Sequence, residues 1–161
     1  MDEASIDSPL GACRLIASRD GLLSLSFLDE GERAREPSPR SSNPHLLAAI
    51  EQLEAYFAGQ LTRFSCQLAP QGTAFQRRVW ERLAAIPFGV TKSYGQIAEE
   101  IGQPLASRAV GGANNRNPIP ILIPCHRVIG SKNALVGFGC GLWRKQWMLE
   151  HEGIALPLAR S

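Results

Sequence analysis

The chain has 161 residues, 44 % of them apolar, with 17 Lys and Arg against 15 Asp and Glu for a net charge of +2, enough for one domain or two small ones. No apolar run nears the ~20 residues of a membrane-spanning helix, and the acidic start Met1-Asp-Glu-Ala-Ser lacks the layout of a secretory leader, so a cytoplasmic protein is expected, or a nuclear one if there is a nucleus. Cys13, Cys66, Cys125 and Cys140 are widely spaced without a CxxC pair and read as thiols, and with His45 they lack metal-ligand spacing.

In chain order, Cys13 to Leu28 reads as a hairpin. Its apolar clusters are Leu15-Ile-Ala and Leu22 to Phe27, and its turn is Ser18-Arg-Asp-Gly21. Residues 31–44 are polar with three prolines and read as a loop. Leu46, Leu47, Ile50, Leu53 and Phe57 have helical spacing, and Gly59 stops that helix. Arg63 to Leu68 is expected to be a short strand, and Ala69-Pro-Gln-Gly72 a domain junction, giving domains 1–71 and 72–161. Thr73 caps a helix to Ala85, with Phe75, Val79, Trp80 and Leu83 on its core face. Ser93 caps Tyr94 to Ile101, Gly102 ends that helix, and Leu105 to about Asn114 forms the next. The pair fits a helix-turn-helix.

Charge divides with the domains. Residues 1–71 carry six Arg against ten Asp and Glu, a net of −4, and residues 72–161 carry eleven Lys and Arg against five Asp and Glu, a net of +6. The second half is the candidate for a phosphate backbone. Its last predicted helix is almost bare, with Ala106, Ala109, Gly111, Gly112 and Ala113, and Arg108 is the one long side chain at its middle. Such a helix suits close approach to a groove without reading sequence.

The most informative segment is Leu122-Ile-Pro-Cys-His-Arg-Val-Ile129. It places Cys125, His126 and Arg127 within an apolar run, Ile119 to Ile129, of β-like composition. Proline interrupts a ladder, two ionisable groups need partners or water, and a thiol beside positive charge tends toward the nucleophilic thiolate. A buried structural cysteine is the ordinary alternative.

Pro124-Cys125-His126-Arg127-Val128 resembles the active-site signature of the O6-alkylguanine-DNA alkyltransferases. The resemblance runs on through Phe75-Gln-Arg-Arg-Val-Trp80, Ile86-Pro-Phe-Gly89, Ser93-Tyr94-Gly95, Arg108-Ala-Val-Gly-Gly-Ala113, Asn117-Pro118 and His151-Glu152-Gly153, about half of the chain. Toward the N-terminus it is looser, mainly Asp7-Ser-Pro-Leu-Gly11. It implies an α+β chain: a small ribonuclease H-like α/β domain, then a mainly helical domain with the helix-turn-helix. The implied activity is irreversible, single-turnover transfer of an alkyl group from O6-alkylguanine, with O4-alkylthymine open, onto Cys125. The partner is double-stranded DNA, from which the base is flipped. No cofactor, metal or membrane is implied, and the protein is expected as a monomer, with cooperative binding on DNA left open.

By the same resemblance, His126 is the base, through a bound water, Glu152 orients it, and Asn117 braces the cysteine loop. Arg108 fills the gap left by the flipped base, Tyr94 pushes the adjacent phosphate and contacts the base, and Ala109 and Gly111 line the DNA face. Arg127, Val128, Gly137, Phe138 and Gly139 complete the DNA- and substrate-binding set, with the Cys125 and Val128 carbonyls facing the guanine amino group. Phe138 and Cys140 depart from the tyrosine and glycine usual in relatives. A damage-binding relative without an acceptor cysteine and a cysteine hydrolase are the competing readings. The first is weakened by the presence of Cys125 and the second by Arg108.

Overall fold

A computed structural model describes residues 1–28, 43–130, 134–135, 140–154 and 159–160. Two compact units make up the chain, Met1–Gln71 and Gly72–Ser161.

In the first unit, β1 (Asp2–Ile6), β2 (Cys13–Ser18) and β3 (Gly21–Phe27) form an antiparallel sheet in that order. The expected hairpin is β2–β3, with Cys13 opposite Phe27 and Ser18 opposite Gly21. Strand β1 was not foreseen, because its acidic start disguises an edge strand, a position where charge is favoured. Helix α1 (Pro44–Phe57) begins two residues earlier than its apolar spacing indicated. Asn43 explains this: its side-chain oxygen accepts from the His45 and Leu46 amides, and its amide donates to Asp2 Oδ2 and the Ser18 carbonyl. Leu15, Leu22, Leu46, Leu53 and Tyr56 are fully buried between sheet and helix.

The expected strand at Arg63–Leu68 is absent. Gln52 Oε1 accepts from the Ser65 and Cys66 amides, so those donors are taken by a side chain and not by a ladder. Only Leu68 bridges to Leu22. The loop expected at 31–44 lies almost wholly outside the described residues.

The second unit holds α2 (Ala74–Ala84), the short strand β4 (Lys92–Ser93), α3 (Tyr94–Glu100), α4 (Ser107–Asn115), a 3-10 turn at Cys125–Arg127, β5 (Val128–Ile129) and α5 (Leu142–His151). Capping boxes start α2 and α3, Thr73 with Gln76 and Ser93 with Gln96. Gly102, at φ +77°, turns the chain between α3 and α4. Trp80 is core, as its spacing indicated, and its indole N–H also donates to the Ala113 carbonyl at 2.9 Å, tying α2 to α4. Strands β4 and β5 pair in parallel, Lys92 with Val128 and Ser93 with Ile129, which sets the start of α3 beside the segment after Cys125.

The run Ile119 to Ile129 is buried throughout but is strand only at its last two residues, Val128–Ile129. Asn117 Nδ2 donates to the Ile123 carbonyl at 2.7 Å, and its Oδ1 accepts from the Ile119 amide. The Ile123 amide closes back on the Ile119 carbonyl. Ile121 is driven to φ +76°, a conformation that costs a β-branched residue roughly 1–3 kcal/mol. Apolar composition mimicked a strand here because a buried loop and a buried strand need the same side chains.

Candidate active site

Cys125 opens the 3-10 turn, 3 % exposed, at the end of the loop that Asn117 holds. Burial pushes its thiol up to about 12, against a hydrogen bond from Asn117 and the positive field of Lys145. The expectation that His126 and Arg127 would bias the thiol toward thiolate is therefore corrected. Both side chains bond Glu152.

His126 Nε2 lies 2.6 Å from Glu152 Oε2. Arg127 Nε donates to Glu152 Oε1 at 2.7 Å, its Nη2 donates to Oε2 at 3.1 Å, and its Nη1 donates to the Ile86 carbonyl at 2.7 Å. The guanidinium also faces the Phe88 ring at 5.9 Å. The Gly89 amide donates to Glu152 Oε1, so Ile86 to Gly89 wraps the carboxylate. Glu152 is the C-cap of α5, 4 % exposed, which excludes a solvated helix end. Burial alone would raise its carboxyl, but His126 and Arg127 outweigh that and hold it at about 2. Arg127, at 5 % exposure, is spent on Glu152 and Ile86, and its side chain is not presented to DNA or substrate as expected.

Burial also lowers the pKa of His126 below its usual range, against the pull of Glu152. A neutral ring beside a carboxylate donates from Nε2, which leaves Nδ1 as the acceptor. Nδ1 is buried and has no hydrogen-bond partner among the described residues. The imidazole is thus set up as a base whose tautomer Glu152 fixes.

One charged group was missed from the sequence. Lys145 is fully buried on α5, and its Nζ donates to the Val128 carbonyl at 2.6 Å. Burial depresses its ammonium to about 8, against attraction from Cys125. The signal was available: Lys145, Leu149 and Glu152 share one face of α5 by their i, i+4, i+7 spacing. A lysine on an apolar stripe calls for a buried acceptor. The Val128 carbonyl therefore already has a protein donor, and the Cys125 carbonyl accepts from the Val128 amide. A carbonyl has a second lone pair for the guanine amino group expected there.

Tyr94 is the first residue of α3, half-buried. Burial and the nearby Cys125 raise the pKa of its hydroxyl, which stays protonated as a donor. A side chain at Gly111 would begin 3.9 Å from the Tyr94 ring. Arg108 and Ala109 are exposed on α4. Gly137, Phe138 and Gly139 lie outside the described residues. Among the described residues no His, Cys, Asp and Glu side chains gather as metal ligands, and no helix is long and apolar enough to cross a membrane.

Residues 1–70 match the family of the 6-O-methylguanine DNA methyltransferase ribonuclease-like domain, and residues 74–154 match that of its DNA binding domain. The methylated-DNA–protein-cysteine methyltransferase of Methanosarcina acetivorans is 47 % identical over 151 residues, 93 % of this chain and 97 % of that protein. The chain belongs to the O6-alkylguanine-DNA alkyltransferase family. The methyltransferase of the same name from Mycobacterium leprae is 48 % identical, over 92 % of this chain and 90 % of its own. The crystal structure of Mycobacterium tuberculosis OGT in complex with DNA matches at TM-score 0.81 and 48 % identity, covering 92 % and 90 % of the two chains. An O6-methylguanine DNA methyltransferase from Methanococcus jannaschii matches at TM-score 0.68 and 31 % identity, over 95 % of each. The α+β alkyltransferase fold implied by the sequence is the fold found.

Proposed function

We propose that this alkyltransferase repairs O6-alkylguanine in duplex DNA by moving the alkyl group to Cys125, once per molecule. The observation that carries the reading is the buried series Cys125, His126, Glu152, with the carboxylate 2.6 Å from one ring nitrogen and the other left as an acceptor.

In the proposed step the Cys125 proton passes to His126 Nδ1 through a bridging water. The sulfur attacks the alkyl carbon, an S–C bond forms, the C–O6 bond breaks, and guanine leaves with the electron pair. The resulting imidazolium is stabilised by Glu152. Tyr94, protonated, donates to the departing base, whose developing charge such a donor stabilises. Lys145 offsets the negative charge on sulfur before transfer. Arg127 acts through Glu152 and not on DNA. The product is a thioether, which none of these groups hydrolyses, so the reaction stops after one transfer.

The same reading makes α3 and α4 a helix-turn-helix, with the bare face of α4 against the groove and exposed Arg108 inserted where the base leaves the stack.

Intact mass after incubation with O6-methylguanine DNA tests this. One methyl is expected per chain, on the peptide bearing Cys125, with none on Cys125→Ser. Binding of damaged DNA without mass change would leave a damage sensor, and turnover of a small ester or amide would leave a cysteine hydrolase.

A further inference from the structure

Cys140 is the other thiol of the second unit, and the proposed repair chemistry gives it no part. Its backbone is held on both sides. Gly141, at φ +97°, turns the chain into α5 in a conformation that suits glycine. Arg144 Nη1 donates to the Cys140 carbonyl at 2.7 Å, and the same guanidinium stacks on the Trp143 ring at 4.6 Å.

The next residue ties this helix start to the acceptor. Lys145 Nζ donates to the Val128 carbonyl at 2.6 Å, and the Val128 amide donates to the Cys125 carbonyl. Helix α5 thereby packs on the 3-10 turn that carries Cys125. The two thiols feel each other: negative charge on Cys140 raises the Cys125 thiol, against the pull of Lys145. Burial raises the Cys140 thiol too, against the pull of Arg144. Each sulfur thus has a cation that favours its thiolate, and the two cations are consecutive residues in the first turn of one helix. Access differs. Cys125 is 3 % exposed, whereas Cys140 is partly open to solvent.

We infer that Cys140 is an oxidation site which, on reaction with a hydroperoxide, closes a reversible disulfide onto Cys125 and withholds the acceptor from repair. The consequence rests on the proposed function, and the sulfur chemistry does not. Cys140, the more accessible thiol, reacts first. Its thiolate attacks one peroxide oxygen, the O–O bond breaks, and a sulfenic acid forms as water or an alcohol leaves. The Cys125 thiolate then attacks that sulfur. An S–S bond forms, the S–O bond breaks, and the oxygen leaves as water. The two thiols together lose two electrons and two protons, and the peroxide takes up both. The Cys125 proton leaves by the route toward His126 that repair uses. Unlike the thioether of repair, a disulfide is reopened by a dithiol.

The test treats the full chain with hydrogen peroxide and maps its peptides without reduction. A peptide joined through Cys125 and Cys140 is expected, which requires Cα atoms within about 7 Å. Methyl uptake from O6-methylguanine DNA should fall at least about tenfold after peroxide and return to within about twofold with dithiothreitol. Before peroxide, Cys140→Ala and Cys140→Ser should take up methyl within about twofold of the wild type, and the same treatment should leave that uptake in place, since Cys125 alone is shielded. Absence of the joined peptide overturns the inference. So does an equal loss of uptake in the Cys140 variants. An untreated wild type that takes up no methyl would sink the repair function alone, and the joined peptide would still decide whether the oxidation occurs.

Discussion

His126 Nε2 and Glu152 Oε2 stand 2.6 Å apart with no exposed surface on either side chain, and the same carboxylate holds Arg127 on its other oxygen. One buried anion thus sets the histidine tautomer and neutralises a buried guanidinium. Glu152→Gln would undo both. An amide nitrogen facing Nε2 favours the other tautomer, which protonates Nδ1 and removes the base. Single-turnover repair is expected to slow by about a hundredfold, within the usual value of a positioned base. Stability should drop by about 3–5 kcal/mol, because Arg127 keeps its charge without a partner. Repair at the wild-type rate would remove Glu152 from the chemistry.

Acid should unfold the second unit through the same group. Glu152 has a usual carboxyl value of 4.5 and is held at about 2 in the fold. Its stabilisation is complete above 4.5 and is lost as pH falls through 2, because the unfolded chain binds the proton first. His126 acts in the same direction. Its folded value lies below 6.5, so its contribution is present above 6.5 and declines as pH falls below it. Urea melts between pH 7 and pH 2.5 should show a steep acid loss, and Glu152→Gln should flatten the limb below pH 4.5. Parallel curves for the two proteins would refute this.

Lys145 gives a slope of the same sign at high pH. Unfolded it holds its proton to 10.5 and folded to about 8. Between these values the unfolded chain binds more protons at this group, so the Lys145 contribution should rise with pH from 8 to 10.5, against the loss from the raised Cys125 thiol above 9, and the difference between wild type and Lys145→Met should show that rise. The same variant removes the cation beside the Cys125 thiol. Iodoacetamide labelling of Cys125 at pH 8 should slow by about tenfold in Lys145→Met and by much less in Lys145→Arg. Equal labelling in all three proteins would show that the ammonium does not act on the sulfur.

Arg108 should matter for DNA and not for sulfur chemistry. Arg108→Ala is expected to slow repair of duplex DNA by at least tenfold while leaving the reaction with free O6-benzylguanine within about twofold. Arg108→Lys should recover part of the loss. Equal losses on both substrates would place Arg108 in the chemistry.

Phosphate contacts from the basic second unit predict a linear fall of log affinity with log salt, and similar affinity for unrelated unmodified duplexes. A strong preference for one sequence would contradict the bare face of α4.

Much of this protein was legible in one dimension. Thr73 and Ser93, each followed three residues later by glutamine, marked two helix starts that the capping boxes occupy. Pro124-Cys-His-Arg127 located the proposed acceptor, because proline and charge within an apolar run have few other uses. What sequence could not settle was which group each charge faces. Nearest neighbours in the chain suggested that the charge of His126 and Arg127 biases Cys125, and the family resemblance set Glu152 behind His126, yet the fold gives Arg127 to the same carboxylate, 25 residues away. The cation whose field lowers the thiol's pKa, Lys145, comes from a helix read only by its last residues. Local rules are written by spacing along the chain, and so the helices and the nucleophile could be read directly. Charge pairing in a buried site is decided by desolvation, which forces each ionised group onto whatever partner the fold brings within about 3 Å, and only the tertiary structure says which that is.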